Sequence, residues 1–199
     1  MAYPTVSGPY GLKPVNLVGG RVFAGATRQF PIASGYAANI FNGDVVKLVN
    51  TGNIEKDTGT ATATPVGVFV GCSYTSPALG YQLFSQYYPT GTVASDIVAY
   101  VVDDPDALFK VAVTAGGTAN IATVARTAVG NNSVLIQTAG VTTTGDSRIS
   151  ISSTTATTAT QPIRIIDVVP ETATGADAFV EVIVKWNFGM HQYQNATGV

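Results

Sequence analysis

Charge is what this sequence has least of. Only 11% of its 199 residues are Asp, Glu, Lys or Arg, against the quarter usual in a soluble domain. Threonine, alanine, glycine and serine take their place, and a surface made of them costs little to desolvate. Ten basic and twelve acidic side chains leave a net charge of -2. The basic ones are scattered singly, whereas sequence-independent binding to a phosphate backbone needs a concentrated positive face. No nucleic-acid partner is expected.

Reactive side chains are equally scarce. The single cysteine, Cys72, excludes an intramolecular disulfide, and with one histidine, His191, no Cys/His metal spacing can arise. A Ser–His or Cys–His catalytic machine would have to be built around His191, with a third group to orient it. Gly-x-Ser-x-Gly is absent, so His191 reads as a surface imidazole. Cys72 lies between Gly71 and Ser73 with no neighbouring cation to lower its pKa, and reads as a small buried hydrophobe. Gly19-Gly20-Arg21 leads into a strand-like run rather than a helix, which argues against a phosphate loop. The first residues lack both a basic start and an apolar run, and no window has the roughly eighteen apolar residues a membrane helix needs. The expectation is therefore a soluble, cytosolically made, non-enzymatic chain without cofactor or membrane partner. The Asn-x-Ser/Thr matches at Asn131 and Asn195 then carry no meaning.

What the chain does contain is a succession of short β-prone runs. Residues 1–20 hold three prolines, four glycines and two tyrosines, and Pro4, Pro9 and Pro14 bias the chain to extended geometry. They read as an extended N-terminal arm that either drapes over its own domain or reaches another chain. A single β domain follows over 21–190. Arg21–Ala24, Gln29–Ile32 and Val45–Val49 are short strands, the last preceded by an Asn42-Gly43-Asp44 turn. Thr51-Gly52-Asn53 signals a hairpin into Ile54–Lys56. Thr64–Val70 carries Gly67 and is followed by Gly71, where a bulge or close backbone contact is expected. Tyr81–Tyr88, Ser95–Val102 and Leu108–Thr114 continue the series. Residues 119–129 form at most one short helix, closed by Gly130-Asn131. Residues 138–160, rich in Thr and Ser, read as an exposed segment with a short strand at Ser147–Ile151. Gln161–Val169 and Phe179–Phe188 end the domain, the second placing Val180, Val182, Val184 and Trp186 on one face. A flexible tail is expected over 191–199. Many short strands with frequent turn signals make an all-β fold, a small barrel or sandwich.

Two groups of residues invite a functional reading. Asp103, Asp104 and Asp106 are weak candidates for a calcium site, since hard cations want several carboxylate oxygens together. With Pro105 among them and no calcium-loop glycine, they read better as a strand-ending turn. Tyr81, Phe84, Tyr87 and Tyr88 alternate, with Tyr81 and Tyr87 on one face and Phe84 and Tyr88 on the other. That pattern suits core or subunit contact better than a ligand-stacking platform.

Stretches along nearly the whole chain resemble structural proteins from the virions of tailed phages, notably marine ones infecting cyanobacteria and other aquatic bacteria. They are PYGLKPVNLVGGRVFAGATRQFPI (9–32), IFNGDVVKLV (40–49), TPVGVFVGCSYTSP (64–77), FSQYYP (84–89), VDDPDALFKV (102–111), RIIDVVPETA (164–173) and VKWNFGMHQY (184–193). The resemblance implies a capsid decoration, or cement, protein with a β-tulip-like barrel. Its expected partners are the major capsid protein and further copies of itself, as a homotrimer on the outer surface of the virion's head. A Pro-spaced arm suits pairing with an exposed strand edge. The contact residues expected from arm and aromatic stretch are Tyr3, Pro4, Val6, Pro9, Tyr10, Leu12, Pro14, Phe84, Tyr87 and Tyr88. A tail-tube, head–tail junction or fibre-base protein is the alternative of the same class. A glycan-binding β module is the alternative outside it.

Overall fold

The computed structural model describes residues 6–115, 120–172, 179–187, 193 and 198. Tyr3, Pro4, His191 and nearly all of the expected tail lie outside the described residues. Among the described residues, thirteen strands and two single 3-10 turns make up the regular structure, and the fold is all-β.

Seven strands form one sheet: β1 (Lys13–Leu17), β8 (Ala107–Thr114), β9 (Asn132–Ser133), β10 (Leu135–Ile136), β11 (Ser150–Ser152), β12 (Ile163–Val168) and β13 (Glu181–Trp186). β8 is its axis. It pairs antiparallel with β13 on one side, and on the other with β1 and, in parallel, with β11. β9 and β10 are separated only by Val134; the first pairs with β12 and the second with β11. One kinked strand thus joins the two ends of the sheet and curls it into a nearly closed barrel. Closure removes most of the unpaired edge that an open sheet would present.

The barrel closes because its strands carry β-branched and aromatic residues with period two. Phe109, Val111 and Val113 of β8, Ile163 and Ile165 of β12, and Val182, Val184 and Trp186 of β13 all point inward. The expected alternation at the C-terminal strand is therefore what is seen.

Six strands form the second sheet: β2 (Arg28–Pro31), β3 (Val45–Leu48), β4 (Ile54–Lys56), β5 (Gly67–Thr75), β6 (Gln82–Ser85) and β7 (Val98–Val102). Its order is β2-β7-β5-β3-β4, with β6 beside the far half of β5. Val45, Val68 and Val102 pack into the barrel core. Phe30, Val46, Phe69, Cys72 and Ala99 face a second core, roofed by Ile32, Ile40 and Tyr88.

Both expected glycine effects in β5 occur. A Cβ on Gly67 would lie 2.3 Å from the Val102 carbonyl oxygen, and the β5–β7 register slips between Phe69 and Gly71. The β3–β4 hairpin turns at Gly52, whose φ is +79°.

The N-terminal segment does not hang free. Residues 9–17 are part of the domain, with Pro9 and Leu12 buried and β1 laid along β8. Gly11 donates to the Ile149 carbonyl at 3.1 Å and Leu12 to that of Gly43 at 3.0 Å. There two backbones cross: Gly11 has φ +79°, and a Cβ on it would meet the Gly43 oxygen at 2.7 Å. The prolines keep β1 extended, and the Gly11 and Leu12 amides find partners within the same chain.

Three further expectations are corrected. Between 120 and 129 there is no α-helix, only a 3-10 turn at Arg126–Ala128, because Ile121 and its neighbours run extended beside Thr114. Arg21–Ala24 contributes a single bridge, Asn16 to Val22, instead of a strand. Within 138–160 the expected short strand is present as β11, but Ser147 and residues 149–152 are buried in the barrel wall, so the segment is not exposed throughout. Small hydroxyls can sit there because each finds a partner: Thr114 with Ser150 at 2.7 Å, Ser133 to the Ser152 carbonyl at 2.8 Å, and Ser147 to Asp44 at 2.5 Å.

Candidate assembly surface

From Thr58 to Ser95 the sequence contains no charged side chain. This stretch supplies β5, β6 and the turn between them. The turn is closed by Gly80 donating to the Ser76 carbonyl at 2.8 Å and Ser76 donating to that of Tyr81 at 3.0 Å. On this hairpin Leu79 is 55% exposed, Tyr81 56% and Phe84 75%. Large apolar side chains grouped this way mark surfaces that another molecule covers.

The strand register continues this row across the sheet. Pro31, Val98, Ser73 and Phe84 are cross-strand neighbours, with Phe84 and Pro31 exposed, Val98 half-buried and Ser73 buried between them, and Gln29 and Tyr100 pair in the next row. Ser73 and Tyr100 share a hydrogen bond of 3.1 Å, which satisfies both hydroxyls within the face. At the rim, Asp96 accepts the Thr75 hydroxyl at 2.6 Å and the Thr75 amide. The hydroxyl bond, then the amide bond, hold its carboxyl below the usual carboxylate range.

β6 is also an edge. Among the described residues it pairs with β5 alone. Other edges of this sheet carry Arg28 and Pro31 on β2, and Glu55 and Lys56 on β4, the residue types that discourage further pairing. β6 reads Gln-Leu-Phe-Ser and carries neither charge nor proline.

The aromatic stretch divides differently from the expectation. Phe84 is exposed, but Tyr88 is fully buried, so the two do not share a face. The cause is Ser85, whose hydroxyl donates to the Tyr87 carbonyl and accepts from the Tyr87 amide. This local turn ends the strand and swings Tyr88 inward, where it bridges Ile40 and donates to the Tyr36 carbonyl at 3.2 Å. Tyr87 is half-buried and stacks on Phe41 with ring centroids 5.5 Å apart.

Of the arm residues expected to make contacts, Leu12 and Pro9 are enclosed in the chain's own core. Pro14 is half-buried within β1. Tyr10 is tied to the nearly buried Glu181 carboxylate, which also meets Lys110 at 3.2 Å. Burial first, and then the hydrogen bond to Glu181, push the Tyr10 phenol well above its ordinary value. Val6 alone among the described arm candidates remains clear of these tethers.

The three aspartates do not converge. Asp104 accepts the Asp106 amide at 2.8 Å and caps the turn. Asp103 pairs with Arg28 at 2.9 Å, and Asp106 with Arg21 at 2.7 Å. No group of three possible metal ligands occurs among the described residues. Cys72 is buried, and burial pushes its thiol up to about 12. Leu79, Ser73, Val98 and Tyr100 were not marked by the sequence reading, which had weighed Tyr81 only within the aromatic stretch. The unbroken run without charge from 58 to 95 is the signal that could have found Leu79 and Ser73; Val98 and Tyr100 join through strand pairing.

Comparison with family models, curated proteins and solved structures finds no match to the chain.

Proposed function

We propose that this chain is a virion structural protein of a tailed phage, acting by adhesion rather than catalysis. Within that class it is a capsid decoration protein. It binds the outer surface of the major capsid protein lattice, as a homotrimer, and stabilises the mature head against the pressure of packed DNA.

The observation that carries this reading is the charge-free β5–β6 hairpin, with Phe84, Tyr81 and Leu79 exposed beside the unguarded β6 edge. Covering one such side chain fully stabilises by roughly 1.5–3 kcal/mol. A contact repeated at every seam of a shell multiplies that gain without changing the shell subunits. The resemblance of seven stretches to phage virion proteins supports the same reading. The clamp role passes from the arm to this hairpin, because residues 9–17 are used within the chain's own fold.

The test is a reconstruction of purified particles together with a count of copies per particle. Hundreds of copies seated on the outer shell by this face are expected, with occupancy lost in the double variant Tyr81→Ser, Phe84→Ser. A few copies at the tail or at the head–tail junction would replace decoration by another virion role. A protein that never joins a particle would discard the class.

A further inference from the structure

We infer that the β6 edge binds a second copy of this chain, the two β6 strands pairing antiparallel across a two-fold axis. Phe84, Tyr81 and Leu79 stand off the hairpin and are assigned above to the shell. The edge is a separate surface, made of main-chain groups lying in the plane of the sheet.

Which groups those are follows from the register. Ser76 donates to the Tyr81 carbonyl at 3.0 Å, and the Thr75 amide turns away from β6 to Asp96 at 3.0 Å. Hydrogen-bonded and non-hydrogen-bonded pairs alternate along an antiparallel ladder. Tyr74–Leu83 and Cys72–Ser85 are therefore the bonded pairs. Gln82 and Phe84, between them, aim both N–H and C=O away from β5. Among the described residues no strand lies on that side, and the β5–β6 ladder runs without a register shift.

Three observations select a second copy as the occupant. The first is self-complementarity. With Leu83 opposite its own counterpart, Gln82 of each copy faces Phe84 of the other, and every outward donor meets an outward acceptor. Leu83, half-buried against the second core, then carries that core across the seam. The second is charge. The hairpin lies in the run from Thr58 to Ser95 that has no charged side chain, so two copies bring no like charges together. The third is contrast with the other edges of this sheet. They carry Arg28, Pro31, Glu55 and Lys56, residues that keep a sheet from joining its own copies. β6 has none of them.

A strand paired with itself makes a two-fold contact, whereas a threefold ring needs two different surfaces. The β6 pair is thus a contact between trimers, not within one. Its axis stands perpendicular to the sheet, so both copies present Phe84 and Tyr81 on the same side. On the shell, neighbouring trimers would be stitched together with both faces down. That placement rests on the virion reading; the pair itself does not.

Sedimentation of the isolated protein tests the pair. A concentration-dependent step that doubles the smallest particle present is expected. Gln82→Pro removes one outward donor from each copy and no bond to β5, and should weaken that step roughly thirtyfold. Leu83→Cys should form a disulfide between copies on mild oxidation, since facing Cα atoms of a non-hydrogen-bonded pair lie about 4.5 Å apart. Val93→Cys, exposed but outside β6, should not link. No doubling at millimolar protein, an unaltered step in Gln82→Pro, or equal linking of the two cysteine variants would each overturn the inference. So would a particle reconstruction with a strand of the shell subunit laid along β6. Copies that pair in solution yet never join a particle would sink the virion reading and leave the pair standing.

Discussion

At the scale of single residues, the sequence spoke most clearly through its glycines and least clearly through its aromatics. Gly67 was legible because a glycine inside a β-branched run has few reasons to be there other than close approach, and the Val102 carbonyl occupies the place of its missing side chain. Gly67→Ala should cost more than about 2 kcal/mol, since backbone rather than a yielding side chain stands in the way. Urea unfolding of the variant checks it. Phe84 and Tyr88 were misplaced because strand alternation was carried through Ser85, where one hydroxyl binds Tyr87 twice and ends the strand. Cys72 was legible from its neighbours, none of which is cationic. Its thiol, raised by burial to about 12, should fail to react with a disulfide reagent at pH 8 in the native protein and react at once in denaturant. Fast labelling of the native protein would contradict this.

Elements were readable where local pattern decides them. The β3–β4 hairpin and the last strand follow from a turn signal and from period two. Residues 120–129 were not readable, and the strand expected at Ser147–Ile151 was readable as a strand but not as part of the buried wall, because β8, a partner distant in sequence, decides both. The N-terminal segment is the instructive case. Its prolines predicted extension, and extension is what the structure has, but proline spacing says nothing about whose edge the strand will meet. That edge is its own β8, and Leu12 is wholly enclosed beyond it. Leu12→Ala should therefore destabilise by about 2–5 kcal/mol. Removing residues 1–8 should leave the thermal midpoint nearly unchanged, whereas removing 1–17 should abolish cooperative unfolding. Equal effects of the two truncations would show that the seat of Leu12 does not contribute as described.

For the molecule as a whole, the all-β class followed from composition and turn frequency, but barrel closure did not. It depends on β9 and β10 flanking one kink and pairing with β12 and β11, a relation no window of sequence contains. The whole molecule also sets the response to alkali. Burial raises Tyr10, Tyr36 and Tyr88, with Glu181 adding to the effect at Tyr10, and burial raises Cys72. In each case the folded chain holds its proton more tightly than the unfolded chain. Stability is thus intact below the ordinary thiol and phenol values, about 8.5 and 10, and is lost as pH rises through the folded values. The thermal midpoint should fall between pH 8.5 and 11, with Cys72→Ala flattening the early part and Tyr10→Phe the late part. The crossing of Gly11 over Gly43 beneath Ile149 has a further bearing, on synthesis. This segment leaves the ribosome well before its anchor, for the carbonyl that holds it arrives nearly 140 residues later. A nascent chain stalled before Ile149 has no dock for the Gly11 stretch, so a stretch made early settles late. Until then it leaves the exit tunnel as an unsheltered apolar thread, within reach of chaperones and proteases.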